Sequence, residues 1–154
     1  MRSILVSICL LIFPVIGFAQ EAANYIEAAK KGDYVAQFNL GYCYNMGLGV
    51  PQDNKQAIYW YKKSAMQGYA DAQFNLGNCY YLGEGTEVNY VQAVYWYKLA
   101  SAQKQNKAQY NLALCYMDGT GVKRDDAQAF HWFKKSAENG NADGQCMLGT
   151  YYIF

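Results

Sequence analysis

The fold is decided by one stretch that occurs three times, as Ala36-Gln-Phe-Asn-Leu-Gly-Tyr-Cys-Tyr44, Ala72-Gln-Phe-Asn-Leu-Gly-Asn-Cys-Tyr80 and Ala108-Gln-Tyr-Asn-Leu-Ala-Leu-Cys-Tyr116. Each copy begins 36 residues after the one before. A period of this size is typical of a solenoid, in which each repeat packs only on its neighbours. Apolar residues recur at helical spacing in this stretch and again around an Ala-x-x-Trp pair. The sequence therefore predicts an all-α fold, a right-handed α/α superhelix of helix-turn-helix repeats.

The junctions between helices carry their own signals. Each second helix is preceded by a capping-box pattern, an N-cap residue three positions before a glutamine. These N-cap residues are Asp53, Asn89 and Asp125. Gly68 and Gly140 stand where a second helix should end in a left-handed residue. The middle repeat has Lys104 there instead, so we expect its junction to be the least regular, with a turn at Asn106 as the alternative.

The chain divides into a leader and a solenoid. Residues 1–19 have the pattern of a secretory signal peptide, because Arg2 is followed by an apolar run and by the small-x-small site Gly17-Phe-Ala19. A retained N-terminal anchor is the alternative, although the run is shorter than the about 20 residues of a membrane span. The solenoid is expected over 20–154, with a half repeat at 21–34, full repeats at 35–70, 71–106 and 107–142, and a half repeat at 143–154.

This division predicts a soluble protein outside the cytoplasm, secreted or periplasmic, with no membrane span after signal cleavage. Without Arg2 the chain has 12 Lys and Arg residues against 12 Asp and Glu residues. Domains that bind nucleic acid carry a basic stripe, and this near-neutral chain has nothing comparable. We therefore expect no nucleic-acid partner.

The sequence contains no catalytic or cofactor motif. The Gly-x-Gly pairs, such as Gly47 and Gly49, follow helices and lack the Lys-Ser/Thr of a phosphate-binding loop, so they indicate turns. His131 is the only histidine, and it stands where two other repeats have tyrosine. A zinc or acid–base site would need partners at defined spacing. We expect no enzyme activity, no metal and no cofactor.

Four cysteines follow the predicted leader: Cys43, Cys79, Cys115 and Cys146. The first three are equivalent residues of successive first helices, which places them about 8–10 Å apart. A disulfide requires Cα atoms within about 7 Å. Cys146 falls on the Phe38 position of its repeat. The expectation is four free thiols, buried in the seam between repeats.

The full pattern resembles the Sel-one-like repeat family, relatives of the tetratricopeptide repeats. It runs Ala-x-x-x-Leu-Gly-x-x-Tyr, Gly-x-Gly-Val, Asp, then Ala-x-x-Trp-x-x-Lys, with departures at Thr86-Glu87, Ala113 and Lys104. The resemblance implies an adaptor that binds other proteins, with many secreted or periplasmic bacterial members. A related group of secreted cysteine-rich repeat proteins, some labelled penicillin-binding or β-lactamase-like, supplies the alternative function. That group has two cysteines per repeat, whereas this chain has one.

By analogy with tetratricopeptide repeats, the first helices line the inner surface. Positions that differ between copies on that surface are candidates for contact with a protein or peptide partner. They are Phe38, Tyr42, Asn45, Phe74, Asn78, Tyr81, Tyr110, Leu114 and Met117. Two alternatives remain open: these residues fill a tightly wound superhelix, or the chain is a structural piece of a larger array. We expect a monomer or weak self-association, because the terminal half repeats lack polar capping faces.

Overall fold

The computed structural model describes residues 20–151, and the side chains of residues 20–149. In this part the chain forms eight helices and no strand: α1 includes residues 20–30, followed by α2 (Tyr34–Met46), α3 (Asn54–Met66), α4 (Ala70–Leu82), α5 (Tyr90–Ala102), α6 (Asn106–Asp118), α7 (Asp126–Glu138) and α8 (Ala142–Tyr151). The predicted signal peptide at 1–19 lies outside the described residues.

Each helix packs mainly on the helix before it and the helix after it, which is the arrangement of an α/α solenoid. The predicted fold class is therefore confirmed. We call α2, α4, α6 and α8 the front helices and α3, α5 and α7 the rear helices. Over residues 20–151, no helix has the length and apolar character needed to cross a bilayer.

The predicted caps set the ends of the helices. Each front helix of the full repeats ends at a left-handed glycine, as at Gly47, which has a φ of 70° and donates its N–H to the Cys43 carbonyl. Each rear helix begins at its predicted N-cap, where the Asp53, Asn89 or Asp125 side chain accepts a hydrogen bond from the N–H three residues on. The Gly-x-Gly pairs are therefore turns, as predicted.

The junction after α5 differs from the expectation. Lys104 adopts a φ of 64° and holds the left-handed position that Gly68 and Gly140 fill elsewhere. Its N–H donates to the Ser101 carbonyl, just as the Gly68 N–H donates to the Ala65 carbonyl. The alternative of a turn at Asn106 is wrong, because Asn106 is already the first residue of α6. Packing of the flanking helices imposes the regular geometry even on a lysine.

A buried glutamine joins each repeat to the one before it. The Gln73 side chain donates from Nε2 to the Ala65 carbonyl at 3.2 Å, and its Oε1 accepts from the Gln103 amide at 2.9 Å. Gln37 and Gln109 make the same pair of bonds in their repeats. Because all three side chains are at most 4% exposed, these bonds satisfy polar groups that water does not reach.

Candidate binding groove

Two adjoining cavities lie along the front helices. The larger has a volume of about 270 Å³ and is lined by Asn78, Tyr81, Leu82, Tyr97, Asn111 and Leu114. The smaller, of about 160 Å³, is lined by Tyr42, Asn45, Tyr61, Asn75, Asn78, Cys79, Leu82 and Glu84. Because Asn78 and Leu82 line both cavities, the two form one depression running from α2 to α6, which we call the front groove.

The two cavities are the same site in successive repeats. One period of the sequence relates Tyr42 to Asn78, Asn45 to Tyr81, Tyr61 to Tyr97, Asn75 to Asn111 and Asn78 to Leu114. The repeat itself therefore generates the depression. The residues that differ between copies change its chemistry from one step to the next.

Asn78 is the centre of a hydrogen-bond network on the groove floor. Its Oδ1 accepts from the Tyr97 hydroxyl at 2.7 Å and from Asn111 Nδ2 at 3.1 Å. Burial raises the pKa of the Tyr97 hydroxyl well above its ordinary value, so this group remains a donor at physiological pH. Within residues 20–149, no protein group accepts from Asn78 Nδ2. That amide N–H₂ is therefore available to a carbonyl oxygen of a bound chain.

Three of the predicted contact residues, which occupy equivalent positions in the repeats, pack against the core. Phe38, Phe74 and Tyr110 are half-buried, and each packs on a buried ring of the following rear helix. The ring centroids are 5.8 Å apart for Phe38 and Tyr61, 6.2 Å for Phe74 and Tyr97, and 5.6 Å for Tyr110 and Phe133. These rings support the floor rather than project from it.

The other predicted residues lie closer to solvent. Tyr42 is 43% exposed, and the half-buried Tyr81 packs edge-on against Tyr90, with ring centroids 5.2 Å apart. Burial also raises the pKa of Tyr81. The Asn45 side chain donates to Asn54 Oδ1 at 3.2 Å. Met117 packs on the buried cluster of Ala113, Ala129 and Phe133. The structure thus brings Tyr42, Asn45, Asn78, Tyr81 and Leu114 to the cavity walls.

Several groove residues were not predicted. Asn75, Asn111, Tyr61 and Tyr97 line the cavities, but they are identical in neighbouring copies, so a search for positions that differ between copies does not find them. Leu82 was omitted although it is 60% exposed at the end of α4. One sequence signal could have found them: the same position of each first helix holds an asparagine, namely Asn39, Asn75 and Asn111. A partly buried amide needs a hydrogen-bond partner, so such a position indicates a polar site.

The cysteines fit a structural role. None of Cys43, Cys79, Cys115 and Cys146 is disulfide-bonded, as predicted. Burial raises the pKa of Cys79 to about 12 and that of Cys115 to about 11, so these thiols stay protonated and unreactive. The expectation that Cys146 is buried is wrong, because it is exposed. It occupies the position of Phe38, whose ring is covered by the next rear helix, and the described chain has no helix after α8.

His131 lies on the outer surface of α7, exposed and edge-on to Trp132 with centroids 5.1 Å apart. The His131–Trp132 pair is thus equivalent to the Tyr59–Trp60 and Tyr95–Trp96 pairs of the other repeats, with histidine in place of tyrosine. Across residues 20–151, no three His, Cys, Asp or Glu side chains are grouped closely enough to hold a metal ion.

Comparison with known proteins identifies the class of this chain. The family model of the Sel1 repeat matches residues 35–69, 70–104 and 106–141, and the chain belongs to the Sel1 repeat family. Its repeats form a scaffold of the kind that typically mediates protein interaction. No relative was found among curated proteins.

Three solved structures are similar to it. A protective antigen of uropathogenic Escherichia coli, described as displaying an SLR fold, is 41% identical with a TM-score of 0.81, and the match covers 83% of this chain and 27% of the antigen. A Sel1 repeat protein from Oxalobacter formigenes is 33% identical with a TM-score of 0.77, covering 86% of this chain and 59% of that protein. Helicobacter pylori cysteine rich protein B has the same fold at 21% identity and a TM-score of 0.66, covering 82% and 96%. The chain thus spans about a quarter of the antigen's length and under two thirds of the Oxalobacter protein's.

Proposed function

We propose that this chain is a non-catalytic scaffold that captures an extended segment of another protein in the front groove. The observation that carries the proposal is the pair of equivalent cavities joined through Asn78 and Leu82. Equivalent sites that recur once per repeat suit an extended peptide, because successive parts of the peptide can contact successive copies of the site.

The chemistry of the groove supports a peptide as the ligand. Tyr81, Leu82 and Leu114 provide apolar and aromatic walls, which are the side chains that concentrate binding energy in protein interfaces. Asn78 offers an amide N–H₂ at the floor, a group that pairs with main-chain carbonyls. Tyr97 and Asn111 fix the orientation of this amide by occupying its oxygen, so the donor is held ready before the ligand arrives.

We further propose that the scaffold acts in the periplasm or outside the cell. Support comes from the signal-peptide pattern of residues 1–19, where an apolar run leads to Gly17-Phe-Ala19. The alternative of a β-lactamase-like or penicillin-binding activity has no support among these observations, since the chain has one cysteine per repeat where that group has two.

A matched pair of substitutions tests the groove. Leu82 is 60% exposed in the groove, and Met66 is 72% exposed on the rear helix α3. Leu82→Asp and Met66→Asp therefore introduce the same charge at similar exposure with little effect on folding. Peptides selected from a displayed random library on the wild-type protein should bind Leu82→Asp at least about 10-fold more weakly, because a carboxylate now faces their apolar side chains. Binding to Met66→Asp should be unchanged.

A second pair of variants distinguishes residues of the groove walls from residues that support its floor. Tyr81→Ala should weaken the same peptides while circular dichroism and thermal unfolding stay near wild type, whereas Phe74→Ala should also destabilise the protein, because the Phe74 ring packs on Tyr97. Selected peptides that bind Leu82→Asp and Tyr81→Ala as tightly as wild type would contradict the proposal. So would a library selection that yields no binders.

A further inference from the structure

A second cavity lies away from the front groove, between α5, the start of α6 and α7. It has a volume of about 390 Å³, and its walls include Ser101, Lys104, Trp132 and Lys135. We call it the rear crevice. It shares no lining residue with the front groove, so a ligand here would not compete with a peptide there.

The preceding junction, between α3 and α5, provides an internal comparison. One period earlier the same positions are small, apolar or neutral, with Ala65, Gly68, Tyr95, Leu99 and Ala102. In the rear crevice they have become Ser101, Lys104, His131, Lys135 and Glu138. Five positions, on α5, on α7 and in the junction between α5 and α6, thus change towards polar or ionisable residues.

Two of these residues also break local rules of folding. Ser101 is 2% exposed, and its hydroxyl has no hydrogen-bond partner among the described residues. Three residues later, Lys104 has a φ of 64°, a conformation that strains any residue with a Cβ atom. Unpaired buried polar groups and left-handed non-glycine residues are both unfavourable, and such features concentrate at functional sites. Here both line the same cavity.

We propose that the rear crevice binds a small organic anion, a carboxylate or phosphate attached to a flat apolar group. The Lys104 ammonium has no ion-pair partner among the described residues, whereas Lys135 lies 3.6 Å from Glu138. Lys104 therefore supplies uncompensated positive charge for the anionic group. Trp132 supplies a half-buried ring for the flat group.

The test uses sodium benzoate and phenyl phosphate as probes, with neutral benzamide and inorganic phosphate as controls, added to the purified protein and monitored by NMR chemical shifts. At least one of the two organic anions should bind and shift the signals of Trp132. Binding by benzoate alone or phenyl phosphate alone identifies the anionic group. Benzamide and inorganic phosphate should each bind at least 10-fold more weakly, because each lacks one half of the ligand.

Variants of Lys104 and Ser101 separate effects on binding from effects on folding. Lys104→Gly removes the ammonium and the backbone strain, and Ser101→Ala removes the unpaired hydroxyl. Both should raise the melting temperature of the free protein. Lys104→Gly should lower the affinity for the probe at least 10-fold, whereas Ser101→Ala should leave it unchanged, because the Ser101 hydroxyl is buried beneath the crevice surface. Lys62→Ala, on α3 outside the crevice, should leave affinity unchanged. Failure of both organic anions to bind, equal binding of benzamide, or unchanged affinity in Lys104→Gly would overturn the proposal.

Discussion

In the middle repeat, a serine and an alanine that are adjacent in sequence are swapped relative to the other two repeats. The hydrogen bonds of the other repeats predict how this swap affects stability. Ser64 and Ser136 occupy equivalent positions, and each hydroxyl donates to a carbonyl 30 residues earlier, at 2.7 Å to Tyr34 and at 2.8 Å to Asn106. In the middle repeat this position holds Ala100, and the serine has moved to the next residue, Ser101. There its hydroxyl is buried without a partner in the described chain.

The double substitution Ala100→Ser with Ser101→Ala should therefore stabilise the protein. Removing the unpaired hydroxyl recovers about 1–3 kcal/mol, and the new serine should gain a hydrogen bond to the Ala70 carbonyl worth about 1 kcal/mol. Ala70 is the counterpart of Tyr34 and Asn106 by one repeat period. The combined gain of about 2–4 kcal/mol corresponds to a rise in melting temperature of roughly 5–15 °C for a chain of this size.

Urea unfolding followed by circular dichroism measures this gain, with two controls. Ser64→Ala should lower stability by about 1–2 kcal/mol, because it removes an existing bond of the same kind. Ser101→Ala alone should give part of the increase. An unchanged unfolding free energy in the double variant, together with a lower one in Ser64→Ala, would contradict this prediction, since the two junctions would then not be equivalent.

Two further predictions concern the core. Gln73→Ala should cost about 1–3 kcal/mol in urea unfolding, because it removes two buried hydrogen bonds, one to the Ala65 carbonyl and one from the Gln103 amide; a cost below about 0.5 kcal/mol would mean that water replaces the glutamine. Folding raises the pKa of the Cys79 thiol from 9.0 to about 12, so the unfolded chain loses this proton first as pH rises. The contribution of this thiol to stability should accordingly be constant below pH 9 and fall between pH 9 and 12, and Cys79→Ala should reduce the fall in stability over that range; an unchanged slope in Cys79→Ala would contradict the assignment.

Periodicity made the fold predictable because the same contacts recur at each junction. The helix count, the N-caps at Asp53, Asn89 and Asp125, and the glycine turns all follow from local sequence. Lys104 was harder to predict, since its strained φ is imposed by packing of α5 and α6 and local preference argues against it. Cys146 was placed wrongly because its exposure depends on which helix covers it, a tertiary property that helical spacing does not contain.

The groove was only partly predictable, because residues that are identical in neighbouring repeats can serve both the stacking of helices and a binding site. Asn75 and Asn111 serve both purposes, since each lies on the floor and beside a buried tyrosine hydroxyl. A comparison of copies separates variable residues from constant ones. It cannot separate constant residues of the core from constant residues of a site, which requires coordinates.

The last repeat shows how far the polar floor extends. Tyr61 pairs with Asn75, and Tyr97 lies by Asn111, each partner standing 14 residues further on. At the next step both members change together, to Phe133 and Met147, which pack in one apolar cluster. Losing the hydroxyl alone would leave a half-buried amide without this partner, and losing the amide alone would leave a buried hydroxyl without it, so the paired change avoids either cost. The amide-lined floor therefore ends at α6, and the proposed peptide site is the stretch from Tyr42 to Leu114.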